Sequence, residues 1–256
     1  MLIIGQVSEK KVYEQQYKLA FNQGQHFYPK YFIERMSIVW VMLPQEGGVF
    51  SQLHYGMVPF WSHKPVIHFE SPVEGSVNPG AERLKKRIFL HPSYRRPVRE
   101  NRCIIPVDYV IIPNDEGNPF LIFSDTNKTI ALAGIYDSWQ EERYHKGSYR
   151  GFSILTNPSG DAFRQEGITR IPLVLSGNVL KRWLDPGTPL AEIARFMEIT
   201  GKNKLNGYPV SRSLYREKHN GIEICKPRGN MILETSQLTG ETASFLQTNT
   251  VRQGNL

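Results

Sequence analysis

Apolar side chains recur along this chain with two periods, and each period predicts a different element. A period of two marks strands, because successive side chains on a strand point to opposite faces. Ser37 to Leu43 reads as extended, and polar and apolar positions alternate from Phe50 to Val58, with Gly47-Gly48 as the turn between them. Further strands are predicted at Cys103 to Ile105, Tyr109 to Ile112, Phe120 to Ser124, Ile130 to Tyr136, Gly151 to Thr156 and Leu173 to Leu175. Asn114 to Asn118 supplies a hairpin turn. Leu2-Ile3-Ile4 reads as one more strand, at an edge or in the core.

The helical period is rarer. Ser8-Glu9 predicts a helix start, after which Tyr13, Tyr17, Ala20 and Phe21 share a face. Two short helices are expected towards the end, one carrying Leu180, Trp183 and Leu184, the other opening after Pro189 with Leu190, Ile193 and Met197. Residues 62 to 80, rich in Pro, Gly and His, read as a long loop, and such loops in compact domains tend to be functional. These elements predict an α+β fold with a mixed, barrel-like sheet and short flanking helices over residues 1 to 228. Residues 229 to 256 are rich in Thr, Gln, Asn and Gly, and are expected to form a disordered polar tail.

Composition excludes several classes. At 256 residues, 40% hydrophobic and 21% charged, the chain reads as an ordinary soluble protein. No apolar run approaches a membrane span, and the start lacks the order of a signal peptide. Cys103 and Cys225 could form at most one bridge, and their spacing suits no zinc site. The expectation is a cytoplasmic monomer with no metal, cofactor or membrane partner.

The net charge of +7 permits a polyanionic partner, and its distribution is informative. Between Glu82 and Arg102 lie Arg83, Lys85, Lys86, Arg87, Arg95, Arg96, Arg99 and Arg102, opposed by Glu82 and Glu100. Such a segment is either a solvated face or a stripe that tracks phosphates and releases their counterions.

Short motifs then follow in a telling order. They are Gly56 to Trp61, Asn78 to Glu82, Tyr94 to Pro97 leading into Arg102 to Asp108, and Ala133 to Trp139. Phe152 to Thr156, Arg170 to Leu175, Trp183-Leu184 and Tyr208 to Ser211 come next. Together they resemble the SOS response-associated peptidase (SRAP) family, over residues 1 to about 227. The resemblance implies a protein of the DNA damage response that traps abasic sites in single-stranded DNA. In that family an N-terminal cysteine, exposed by removal of Met, condenses its amine and thiol with the sugar aldehyde. A glutamate and a histidine assist the proton transfers, and an asparagine and an arginine hold the DNA.

Position by position, the chemical groups are missing. The cysteine position holds Leu2, and the nearby family arginine is Ile4. The glutamate position falls on Ile112, the histidine position on Ile168, and the arginine after Asn78 is replaced at Gly80. Leucine in second place also favours retention of Met1, which leaves the free amine one residue out of place. The losses share a direction, from thiol, carboxylate and imidazole to Leu, Ile and Ile. If the fold joins these positions, their side chains should meet as an apolar plug, each contributing roughly 1.5–3 kcal/mol by burial.

Asn78, Trp61, Thr156, Arg170, Arg95 and Arg96 remain as candidate DNA-binding residues. Each also has a plain alternative: Trp61 as core, Thr156 and Arg170 as structural partners, and the arginines as a solvated face. Cys103 reads best as a small buried hydrophobe, and His54, His63 and His68 do not have metal-ligand spacing. Three functions stay open. One is a catalytically degenerate protein that binds single-stranded or abasic-site DNA, nucleoid-associated when it does so. Another is an enzyme that works through the Met1 amine. The third is a protein-binding scaffold.

Overall fold

The computed structural model describes residues 1–21, 26–44, 49–75, 87–124, 126, 129–140, 148–198, 205–217 and 220–233. Five strands close a small barrel. They are β4 (Ile38–Met42), β5 (Val49–Tyr55), β7 (Arg102–Val107), β10 (Ile130–Trp139) and β11 (Tyr149–Pro158). Four neighbouring pairs are antiparallel, and β11 returns beside β5 in parallel, with Gly151 opposite His54 and Phe152 opposite Tyr55. A ring with an odd number of strands cannot alternate direction throughout, so one parallel seam is unavoidable. Along that seam β6 (Glu70–Pro72) resumes the line of β5, pairing Glu70 with Ile154 and Ser71 with Leu155. The chain between is an excursion clipped at its base, where Met57 and His68 exchange both backbone hydrogen bonds.

A second, six-stranded sheet runs β15 (Ile232–Leu233), β14 (Leu205–Pro209), β9 (Pro119–Ser124), β8 (Tyr109–Pro113), β1 (Ile3–Gln6) and β3 (Lys30–Ile33). The chain passes from barrel to sheet at Asp108, between β7 and β8. Its buried carboxylate accepts from the amides of Val7 (2.6 Å) and Ser8 (3.1 Å) and from the Ser8 and Tyr13 hydroxyls. Burial pushes that carboxyl above its ordinary range, against the pull of these four donors. The network fixes the start of α1 (Lys10–Tyr17).

Alternation sorts the side chains into separate cores. Inward residues of the barrel (Val39, Val41, Ile105, Leu132, Phe152) share one cluster with Leu2, Ile4, Val110, Ile112 and Ile122 of the second sheet. Their outward neighbours Trp40, Met42, Ile104, Ala133 and Leu155 meet the helical layer. That layer includes Tyr13 of α1, Trp183 of α4 (Val179–Leu184), and Ile193 and Met197 of α5 (Leu190–Glu198). The far face of the second sheet is covered by Leu214, in α6 (Leu214–Glu217), and by Ile224.

The mixed barrel, the hairpin turn at Asn114–Asn118 and the two late helices follow the sequence expectations. Four differences have physical causes. α1 stops at Lys18, which takes a left-handed conformation (φ 56°), so Ala20–Phe21 form β2 beside β5 rather than another helical turn. The expected loop from residue 62 contains β6, because the parallel seam offers unpaired backbone groups there. β14 was hidden by Asn206, Gly207 and Pro209, which are poor strand formers; pairing with β9 outweighs propensity. The sheet also continues past residue 228, since Ile232 is buried in the shared cluster and β15 pairs with β14. Gly47-Gly48 and residues 234–256 lie outside the described residues.

Candidate nucleic-acid interface

At one end of the shared core lie the positions where the resemblance expects reactive groups. β1 pairs with β8 so that Ile3 faces Ile111 and Ile4 faces Val110. One step further, the same register sets Leu2 opposite Ile112. Leu2 (4% exposed), Ile112 (9%) and Ile168 (1%) belong to one hydrophobic cluster. Ile168 is held there by its amide on the Phe163 carbonyl (3.0 Å) and by the Ser159 hydroxyl on its own carbonyl. Gly167 precedes it at φ +75°, a left-handed conformation that favours glycine. Three aliphatic side chains in one cluster offer neither a nucleophile nor a proton relay.

Polar groups begin just outside. Burial pushes the Met1 amine below its ordinary value, helped by Arg35 and opposed by Glu70. Arg35 and Glu70 form an ion pair (3.2 Å), and the guanidinium lies over Phe69 at 4.5 Å. The sequence leaves no acid at the position where the family keeps one, Ile112. No local pattern marks Glu70, because the long-range seam between β6 and β11 is what brings it there.

On the outer wall, the excursion between Met57 and His68 presents two aromatic side chains. Phe60 is 47% and Trp61 48% exposed. Their backbone is held rigidly: the Phe60 amide donates to Asp137 Oδ2 (2.9 Å) and Trp139 Nε1 to the Ser62 carbonyl (2.7 Å). Trp61 Nε1 reaches the Pro92 carbonyl at 3.3 Å. Burial holds the Asp137 carboxyl above its usual range. Arg96 lies over the Phe60 ring at 4.2 Å and pairs through Nε with Glu100 (3.0 Å). Arg95 and Arg99 are exposed beside it, and no acidic partner among the described residues takes their charge. Trp61, Arg95 and Arg96 therefore share one surface. Phe60 and Arg99 join them; the signal was available in the aromatic pair Phe60-Trp61 and the three-residue step from Arg96 to Arg99.

Other candidates are placed differently. Arg102, counted in the basic stripe, is 2% exposed and donates to the carbonyls of Val98 (3.0 Å), Trp183 (2.6 Å), Asp185 (2.8 Å) and Arg99. It is an internal tie, and the stripe loses it. Thr156 is buried beneath Arg170, accepting from Arg170 Nε on its hydroxyl (3.2 Å) and from Nη2 on its carbonyl (2.7 Å). The same guanidinium pairs with Glu74 at 2.8 Å. Asn78, Gly80, Glu82, Arg83, Lys85 and Lys86 lie outside the described residues. Both cysteines are buried and free, and burial pushes the Cys225 thiol up to about 12. Among the described residues no group of His, Cys, Asp and Glu is arranged to hold a metal, and no helix is long and apolar enough to cross a membrane.

The fold is shared with solved structures. A crystallographic structure of a protein from Bacteroides thetaiotaomicron superimposes with a TM-score of 0.65 at 19% identity, covering 88% of this chain and 92% of that one. A phage-related protein from Bordetella bronchiseptica gives a TM-score of 0.59 at 18% identity, covering 83% and 95%. The family model described as SOS response associated peptidase (SRAP) matches residues 4–216, and the chain belongs to that family. Among its relatives is the abasic site processing protein YoaM of Bacillus subtilis (strain 168), 25% identical over 187 residues, covering 70% of this chain and 76% of the relative. Abasic site processing protein YoqW, of the same strain, is 23% identical over 204 residues, covering 77% and 86%.

Proposed function

We propose that this chain serves the DNA damage response by binding single-stranded or abasic-site DNA, and that it forms no stable cross-link to it. One contrast supports both halves. The core positions where the family's reactive groups are expected hold the apolar set Leu2, Ile112 and Ile168. The outer wall, by contrast, keeps two exposed aromatic rings beside exposed arginines. Aromatic platforms flanked by guanidinium groups suit single strands, since every base has a face to stack and every nucleotide a phosphate. Arg170, already paired with Glu74 and seated on Thr156, acts in this view as a positioning residue.

Binding is tested by titrating a labelled single strand at several salt concentrations. Affinity should fall steeply with salt, and Trp61→Ala should weaken it about tenfold without changing the melting temperature. Cross-linking is tested by incubation with abasic single-stranded DNA and denaturing electrophoresis, where no shifted band is expected. A second reading, a reversible imine on the Met1 amine, has one observation in its favour, the charge of Glu70 beside that amine. It predicts a band only when borohydride is added. Absence of salt-sensitive DNA binding would leave the scaffold function.

A further inference from the structure

Next to the Phe60–Arg96 stack the surface sinks into a cavity of about 350 Å³, lined by Phe89, Leu90, Arg95, Arg96, Arg99 and Glu100. It is an open hollow rather than an enclosed cavity, and its volume falls at the small end of the range for single small-molecule sites, roughly 300–1,000 Å³. The lining has two chemical halves. Three guanidinium groups face one carboxylate, and Glu100 is already engaged by Arg96 Nε. Among the described residues, Arg95 and Arg99 are therefore the charges left to hold an anion. The same lining includes Leu90, 68% exposed, and the half-buried Phe89. An apolar side chain so exposed on the wall of a cationic hollow suits a ligand that is anionic at one end and flat and apolar at the other.

We infer that this cavity is a subsite for one nucleotide, with Arg95 and Arg99 on its phosphate and Leu90 and Phe89 against its base. The inference rests on the strand-binding function proposed above and adds to it a discrete place for a single unit. The Phe60–Arg96 stack forms the ledge from which a strand enters. A flat groove would give every phosphate the same weak contact. A cavity of this size instead predicts that an isolated nucleotide binds by itself.

The probes are deoxyadenosine monophosphate, deoxyadenosine, inorganic phosphate and a fluorescent oligothymidylate, each titrated at low salt into the full chain. The monophosphate should bind directly and displace the oligonucleotide, with deoxyadenosine and inorganic phosphate both weaker. Arg95→Gln with Arg99→Gln should weaken the monophosphate about tenfold or more, since charge-assisted contacts are lost. It should also make the salt slope for the oligonucleotide shallower by about 0.7, the value for one phosphate on a single strand. Leu90→Ser should weaken the monophosphate and leave inorganic phosphate unchanged. All three side chains are exposed, so melting curves should match the parent protein.

If the oligonucleotide binds but the monophosphate neither binds nor displaces it, the subsite is refuted and strand binding stands. If the monophosphate binds and the oligonucleotide does not, the subsite stands and strand binding falls. Equal affinity for inorganic phosphate, with Leu90→Ser silent, would reduce the cavity to a plain anion site and overturn the base contact.

Discussion

Replacing Ile112 with Glu puts a carboxylate back where the family keeps one and tests whether that end of the core is sealed. Ile112 is 9% exposed and shares its cluster with Leu2, Ile168 and Phe120. Glutamate keeps part of the aliphatic contact, so the lost burial costs at most about 1.5–3 kcal/mol. The larger effect is desolvation of the charge. A carboxyl surrounded by aliphatic groups rises by up to about 3–5 pKa units, each worth about 1.4 kcal/mol. Slight exposure of this position argues for the lower figure, so about 4 kcal/mol would depend on pH. The folded-state pKa lies above the unfolded value, so the folded form holds its proton longer. The penalty is therefore absent below about pH 4 and grows as pH rises towards the folded pKa. Urea unfolding of parent and Ile112→Glu at about pH 5 and pH 8 should show a gap that widens by a few kcal/mol at the higher pH. A gap that does not change with pH would mean that water reaches the site, and the plug would not exist.

Three further outcomes follow from the packing and hydrogen bonds described above. Leu2→Cys alone should give no covalent band with abasic single-stranded DNA on a denaturing gel, because Ile112 and Ile168 supply no proton relay. Arg102→Met should destabilise the fold by at least about 3 kcal/mol in urea unfolding, since four carbonyls lose their shared donor in a buried setting. His68, whose Nδ1 meets the Tyr94 hydroxyl at 2.9 Å, has its pKa lowered by burial and then by His91. Its folded form binds protons less readily than the unfolded chain, so its contribution to stability is full above about pH 6.5 and declines as pH falls below it. Asp108 and Asp137, with raised pKa values, act in the opposite sense. The difference between parent and His68→Asn melting temperatures, followed from pH 7.5 to about pH 5, isolates the histidine and should shrink as pH falls.

The strand at Phe50 to Tyr55 is legible from Leu53 and Tyr55, which point into the barrel core, while Phe50 points the other way into the helical layer. The late helices were legible for the same reason: Trp183, Ile193 and Met197 recur at helical spacing against the barrel. What escaped was set by distant partners. Glu70 to Pro72 carries no strand signal and becomes one only because β11 leaves backbone groups open beside it. Arg102 looked like its basic neighbours in sequence, yet the turn after α2 (Pro97–Glu100) directs it inward to four carbonyls. Motif positions alone mark Leu2, Ile112 and Ile168 as a set. The pairing of β1 with β8 gives a physical reason for two of them to face each other.

The Met57–His68 clip has a consequence for how such a protein can change. Residues on either side of the clip are stitched to the same partner strand, so the segment it encloses can grow, shrink or be exchanged while every barrel register stays put. The exposed surface formed by Phe60 and Trp61 is thereby uncoupled from the strand pairing of the barrel beneath it. Selection can redesign one without endangering the other.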